Sequence, residues 1–188
     1  MTEKFSEWVF RMRGGLWTLL FAAILFMAHR ASPQQIVIAL VIIILGQLWR
    51  FWAAGTIGLY RGENVKAQTL ASTGAYAIMR NPLYFGNFLI GLGWSIIAGI
   101  HAVIIFIVCF YVLYVLVIIP HEEKFLRGKF GLEYEYYCKR VKRFWPVSFK
   151  AEDLKGRFDF SILKRSEIHT LTTTIIGTII IILVSCYA

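Results

Sequence analysis

Five runs of apolar residues, each near the length of a membrane crossing, constrain this sequence more than any other feature in it. A hydrocarbon core of about 30 Å needs roughly 20 apolar residues per helix. Segments 14–28, 35–54, 82–99, 102–119 and 171–187 approach that length with few charges. Hydrophobic side chains make up 58% of the chain and charged ones 16%, against about 45–50% and about 25% in soluble domains, which excludes an ordinary soluble fold. Because lipid offers no partners to backbone N–H and C=O groups, spans without barrel periodicity must be helices. The expected fold is an all-α integral membrane protein with about five transmembrane helices. The third and fourth runs, separated by little more than Ile100 and His101, form a helical hairpin.

The first run is short, but Trp8, Val9 and Phe10 lengthen it if Arg11 and Arg13 snorkel to the headgroups. Its basic start also suits a signal peptide, yet Phe26-Met27-Ala28 is a poor cleavage site, so a retained helix is expected. The chain then reads as one membrane domain, 1–188. It comprises an N-terminal helical pair (14–55), a central region (74–146), a cytoplasmic connector (147–170) and a further C-terminal span (171–187).

The 20 Lys and Arg outnumber the 11 Asp and Glu, for a net charge of +9. Sorted by loop, 3 precede the first span, 4 lie between the second and third counting Arg50, and 12 lie in 120–170, leaving Arg30 alone on the other side. The positive-inside rule places the N-terminus in the cytoplasm and the C-terminus outside. The membrane would be a bacterial inner membrane or the endoplasmic reticulum, according to source. The charge then serves membrane lipids, and no nucleic-acid partner is expected. Cys109, Cys138 and Cys186 are too dispersed to pair, and no metal-ligand spacing occurs. The cytoplasmic segments 55–81 and 120–170 lack the strand, Gly-rich turn and helix of a nucleotide-binding α/β domain. Any cofactor must be held by helix ends and loops at the membrane surface.

Two stretches on that face carry polar chemistry. In the first, Gly74 to Gly86, Asn81 suits a helix N-cap and Pro82 the first helical position. That local role leaves Arg80, Tyr84, Gly74 and Tyr76 unexplained. Gly91, Ser95 and Gly99 share a face of the third span, a small-residue stripe that favours helix packing, while Gly91 and Gly93 also offer room for a cofactor. In the second, Pro120 to Pro146, Glu122 and Glu123 stand side by side at the mouth of span four. Acids there suit a helix start or a cationic ligand. Beyond them Phe130, Tyr134, Tyr137 and Val141 fall on one helical face, with Arg140 a turn from Tyr136 and Tyr137. A basic amphipathic surface helix explains most of the Lys and Arg, but not the ordered Glu-Glu, Phe-Gly, Tyr-x-x-Tyr series.

Together these stretches resemble the isoprenylcysteine carboxyl methyltransferase family and its relatives among membrane phospholipid methyltransferases. The resemblance runs from Gly74 to Pro146 and implies S-adenosyl-L-methionine as cofactor, held by a cytoplasmic helical segment. It further implies a lipid-like or prenylated acceptor entering from the bilayer. It assigns Arg80, Asn81, Pro82 and Tyr84 to a first cofactor motif, Glu122 and Glu123 to a second, and Tyr134, Tyr137 and Arg140 to the segment that covers them. Gly91 and Gly93 match a Gly-x-Gly of the phospholipid enzymes. Arg140, Arg80 and Tyr137 are the implied catalytic positions; Asn81, Pro82, Tyr84, Gly91, Gly93, Glu122, Glu123 and Tyr134 are the implied cofactor positions. Asn81 stands where many members have His, Ala75 where Pro is usual, and Lys142 where Pro is frequent.

The chemistry follows from the residues as well. Carboxylates suit the cationic end of a sulfonium donor, Tyr and Phe suit adenine, and Arg140 or Arg80 suits a carboxylate in a bidentate pair. An ionised carboxylate acceptor needs no general base, in keeping with Asn81, whereas an amine would need His121 or a Glu. The alternatives are a membrane reductase of the sterol reductase type using NADPH and a non-enzymatic lipid-binding protein.

Overall fold

The computed structural model describes residues 3–57, 69–144, 152, 154, 155 and 158–187. Among them regular structure is entirely helical. Helix α1 (Glu3–Phe26) absorbs Trp8 to Phe10 as expected. Helix α2 (Pro33–Thr56) begins at a capping box: Ser32 Oγ accepts from Gln35 N at 3.2 Å and Gln35 Oε1 accepts from Ser32 N at 2.8 Å, with Pro33 preset for the first turn. A short α3 (Ala75–Ile78) leads into α4 (Pro82–Ala98). Gly99, at φ 110°, then turns the chain directly into α5 (Ile100–Phe110), so the hairpin expected between spans three and four closes on this glycine.

The next helix departs from expectation. Instead of ending near residue 119, α5, a π-helical stretch Tyr111–Ile118 and α6 (Ile119–Phe130) form one continuous helix of 31 residues. Pro120 brings no N–H and its ring displaces the carbonyl a turn earlier, and the π-helical turns just before it take up that misfit. Glu122 and Glu123 therefore lie within a helix, not at its mouth. Gly131, at φ 50°, breaks the chain into α7 (Leu132–Arg140). The last span also begins earlier than position 171. Helix α8 (Phe160–Ile162) and the π-helical Leu163–Glu167 lead into α9 (Ile168–Tyr187), so the second half of the connector is helical. Pro146 and positions 147–151 of that connector lie outside the described residues.

Four of these helices, Phe5–Phe26, Pro33–Thr56, Ile100–Phe130 and Ile168–Tyr187, are long and apolar enough to cross a bilayer, and α4, apolar but only 17 residues long, falls just short of them. The protein is an all-α integral membrane protein. Its outward faces carry Val37, Val41, Ile44 and Leu48 on α2, Ile104 and Val108 on α5, and Ile175, Ile179 and Leu183 on α9, all exposed. In water such faces would aggregate; in lipid they are the solvated side.

Close packing rests on glycine. A Cβ at Gly46 would meet Gly86 O and Ile90 N at 3.0 Å, and one at Gly93 would meet Ala39 O at 2.9 Å, so α2 and α4 approach almost backbone to backbone. A Cβ at Gly91 would strike Phe106 and Trp17. Trp94 is the wedge at the far end. It packs on Phe21 of α1 at 4.6 Å between ring centroids, donates its Nε1–H to Thr178 of α9 at 3.0 Å, and leaves no room for a side chain at Gly177.

Candidate active site

Above Trp94 the helices diverge around a cavity of about 980 Å³ that opens at the basic end. Its wall is drawn from α1, α2, the segment before α4, α4 itself, α6, α7 and α9. The deeper part is apolar and aromatic, with Trp17, Ile90, Trp94 and Tyr114. The outer part holds Tyr76, Arg80, Asn81, Tyr84, His121, Glu122, Phe125, Tyr134 and Tyr137. Tyr134, Tyr137 and Val141 form a buried cluster packed with Leu70, Leu126 and Phe130, as the helical spacing anticipates despite the break at Gly131. Tyr137 donates its hydroxyl to Tyr76 O at 2.8 Å. Burial raises both Tyr134 and Tyr137 above the ordinary phenol range, so both stay protonated donors at neutral pH.

The adjacent glutamates have different jobs. Successive residues on a helix point about 100° apart. Glu122 faces the cavity beside the Tyr84 phenol. Glu123, 5% exposed, turns away into a cage of two guanidiniums. Its Oε1 accepts from Arg80 Nε at 3.1 Å, and its Oε2 from Arg143 Nη2 at 2.6 Å. Arg80 also donates through Nη1 to Cys138 O and Val141 O at 3.2 and 3.1 Å, and through its backbone N to Lys142 O at 2.9 Å. These carbonyls belong to the last turn and exit of α7, where cationic donors are favoured. Asn81 sits at the N-cap position of α4, but its side chain makes no capping bond and instead donates to Arg143 O at 3.3 Å. The two sequence stretches are thus interlocked by hydrogen bonds, with Glu123 as their shared counter-charge.

This geometry changes several residue assignments. Arg140 is exposed at the end of α7 and does not line the cavity; Arg143, beyond the helix, holds Glu123 instead. Arg80 reaches the cavity wall, yet its guanidinium is committed to Glu123 and to α7. Gly91 and Gly93 do not line the cavity; both sit at helix contacts, so packing explains them without a cofactor. Asn81, Pro82, Tyr84, Glu122, Tyr134 and Tyr137 are brought together on the wall.

The sequence reading missed a second polar cluster. Arg50 lies inside α2 and is 4% exposed, and its Nε and Nη2 donate to the Glu167 carboxylate at 3.1 and 3.0 Å. It also reaches Asn87 and Thr170. This joins the approach to α9 to α2 and α4, and His169, Thr170, Thr173 and Thr174 then complete the cavity wall. The available signal was an arginine within an apolar helix, which in a membrane calls for a partner.

A family model described as phospholipid methyltransferase matches residues 34–133, more than half of the chain. The chain belongs to the phospholipid methyltransferase family. That matched region supplies nearly all of α2, all of α4 and the wall residues Arg80, Asn81, Tyr84, His121 and Glu122, whereas α1, Tyr134, Tyr137, Arg143 and α9 lie outside it. The chain is also 28% identical over 155 residues to the cobalt-zinc-cadmium resistance protein CzcN of Cupriavidus metallidurans, covering 78% of this chain and 69% of that one. It is 33% identical over 76 residues to the Delta(14)-sterol reductase LBR of Gallus gallus, covering 38% of this chain and 12% of the reductase. It is 30% identical over 88 residues to the Delta(14)-sterol reductase TM7SF2 of Mus musculus, covering 45% and 20%. The chain therefore spans only a small part of either sterol reductase. No solved structure matches it.

Proposed function

We propose that this member of a membrane methyltransferase family transfers a methyl group from S-adenosyl-L-methionine to a lipid-like or isoprenoid-linked acceptor, a carboxylate in preference to an amine. The reaction would take place at the cytoplasmic membrane surface, with the N-terminus inside and the C-terminus outside. One observation carries this reading: a single cavity joins a polar mouth containing Glu122 to an aromatic interior at membrane depth. At about 980 Å³ it lies at the upper end of the ~300–1,000 Å³ usual for small-molecule sites, which leaves room for a donor and an acceptor together.

The residues present fit the donor. Glu122 supplies negative charge facing the cavity where the surrounding end is basic. Phe125, exposed on the wall, offers a flat surface for a purine, with Tyr76 and Tyr137 beside the same opening. When bound, S-adenosylmethionine supplies an electrophilic methyl group on a cationic sulfur. The chain's own work is to hold the two reactants together and exclude water. Glu123, clamped by Arg80 and Arg143, is a positioning residue: it fixes α7, and with it Tyr134 and Tyr137, over the cavity. No side chain need accept a proton from an ionised carboxylate. For an amine, His121 on the wall is the residue suited to that task.

Incubation of the purified protein with methyl-labelled S-adenosylmethionine and total lipid extract tests this. The expected outcome is base-labile label in the lipid fraction, the mark of a methyl ester. Base-stable label would move the acceptor to an amine, and absence of any label would contradict methyl transfer to lipid. The similarity to two sterol reductases favours a second reading, a membrane reductase using a reduced nicotinamide. Glu122 at the mouth is poorly suited to a phosphate-bearing cofactor.

A further inference from the structure

Four arginines line the cavity along with Glu122, and they divide into those paired with a carboxylate and one that is not. Arg50 is paired with Glu167, Arg80 with Glu123, and Arg11 with Glu7 at 2.7 Å. Arg13 is different. It lines the cavity from α1, outside the family match, and among the described residues no carboxylate pairs with it. Its Nη1 donates to Phe10 O at 2.8 Å and its guanidinium lies 4.2 Å from the centre of the Phe10 ring, an arrangement that fixes the group and leaves its other N–H donors available.

Its level in the membrane is set by its neighbours. Phe10, one turn towards the basic end, packs on His121 at 5.3 Å, and Trp17, one turn deeper, packs edge-on against Tyr114 at 5.9 Å. Arg13 therefore stands where the polar mouth gives way to the aromatic interior. An amphiphile whose tail fills the space by Trp17, Ile90 and Trp94 would bring its headgroup to this level. A guanidinium there selects an anionic, planar headgroup and disfavours a cationic one. Snorkelling to lipid phosphate accounts for an arginine on an outer helix face, but not for one on a cavity wall.

We infer that Arg13 is the residue that recognises the acceptor, binding the carboxylate of a long-chain or isoprenoid acid at the junction of the two halves of the cavity. The inference rests on the proposed methyl-transfer reading for the word acceptor, but the binding itself does not. Native mass spectrometry of the detergent-purified protein with hexadecanoic acid and, separately, hexadecylamine tests it. Wild type should bind the acid at least about tenfold more tightly than the amine. Arg13→Gln should remove that preference, Arg13→Lys should keep part of it, and all three proteins should bind S-adenosylmethionine alike. A wild-type preference for the amine, or an acid preference that survives Arg13→Gln, overturns the assignment. Loss of S-adenosylmethionine binding by wild type would instead count against the proposed reaction and leave the acid result to be judged by itself.

Discussion

Glu123→Gln is expected to lower stability by about 3–5 kcal/mol, because it leaves the guanidiniums of Arg80 and Arg143 packed together without their common counter-charge. For a chain of this size that is a fall in Tm on the order of 10 °C, measurable by thermal unfolding in detergent. The damage should be local first. Arg80 ties α4 to the exit of α7, so Tyr134 and Tyr137 should lose protection from hydrogen exchange before α2 or α9 does. Two controls separate this from a general effect of removing charge. Glu135 forms an exposed pair with Arg127 at 2.5 Å, and Glu135→Gln should cost no more than about 1 kcal/mol. Arg140→Ala, on an exposed side chain off the cavity, should stay within about 0.5 kcal/mol. If Glu123→Gln behaved like Glu135→Gln, the interlock between the two stretches would not exist.

The second large effect is expected at Glu167, which is 1% exposed against Arg50. Glu167→Gln should cost about 3–5 kcal/mol, since a guanidinium would be left buried among apolar helices. The consequence should appear at α9, as protease sensitivity or exchange, because this pair joins its approach to α2. A double replacement makes the test sharper. Substituting both partners by apolar residues, Arg50→Met with Glu167→Leu, removes the stranded charge and should recover most of the lost stability. Failure of the double variant to recover would mean that Arg50 is needed for its bonds to Asn87 and Thr170 rather than for the pair.

What the sequence made legible follows from the physics of each feature. The apolar runs are explicit because each residue's transfer into lipid is a local property, and the hairpin at Gly99 is explicit because no loop separates its two runs. The Tyr134, Tyr137 and Val141 stripe is explicit because helical periodicity places those positions on one face. The partners of Glu123 were not legible. Helical reasoning from Tyr136 and Tyr137 singles out Arg140, but the chain leaves the helix at Val141, which has an extended backbone, and that exit swings Arg143 back to α6. Nor does a Glu-Glu pair announce that one carboxylate is caged by two guanidiniums and the other faces the cavity. Only the continuation of α6 through residue 130, which fixes them on one helix, separates their directions. Arg50 and Glu167 are 117 positions apart, and nothing local in either links them.

On the proposed reading, the cavity receives a sulfonium methyl donor through Glu122. Titration calorimetry of the purified protein against S-adenosylmethionine, for wild type, Glu122→Gln and Arg140→Ala, tests this. The predicted result is binding by wild type, weakened about tenfold or more in Glu122→Gln, as befits loss of a charge-assisted contact worth roughly 1.5–3 kcal/mol, and unchanged in Arg140→Ala. No binding of the methyl donor, equal binding by Glu122→Gln, or binding of a reduced nicotinamide in its place would contradict it.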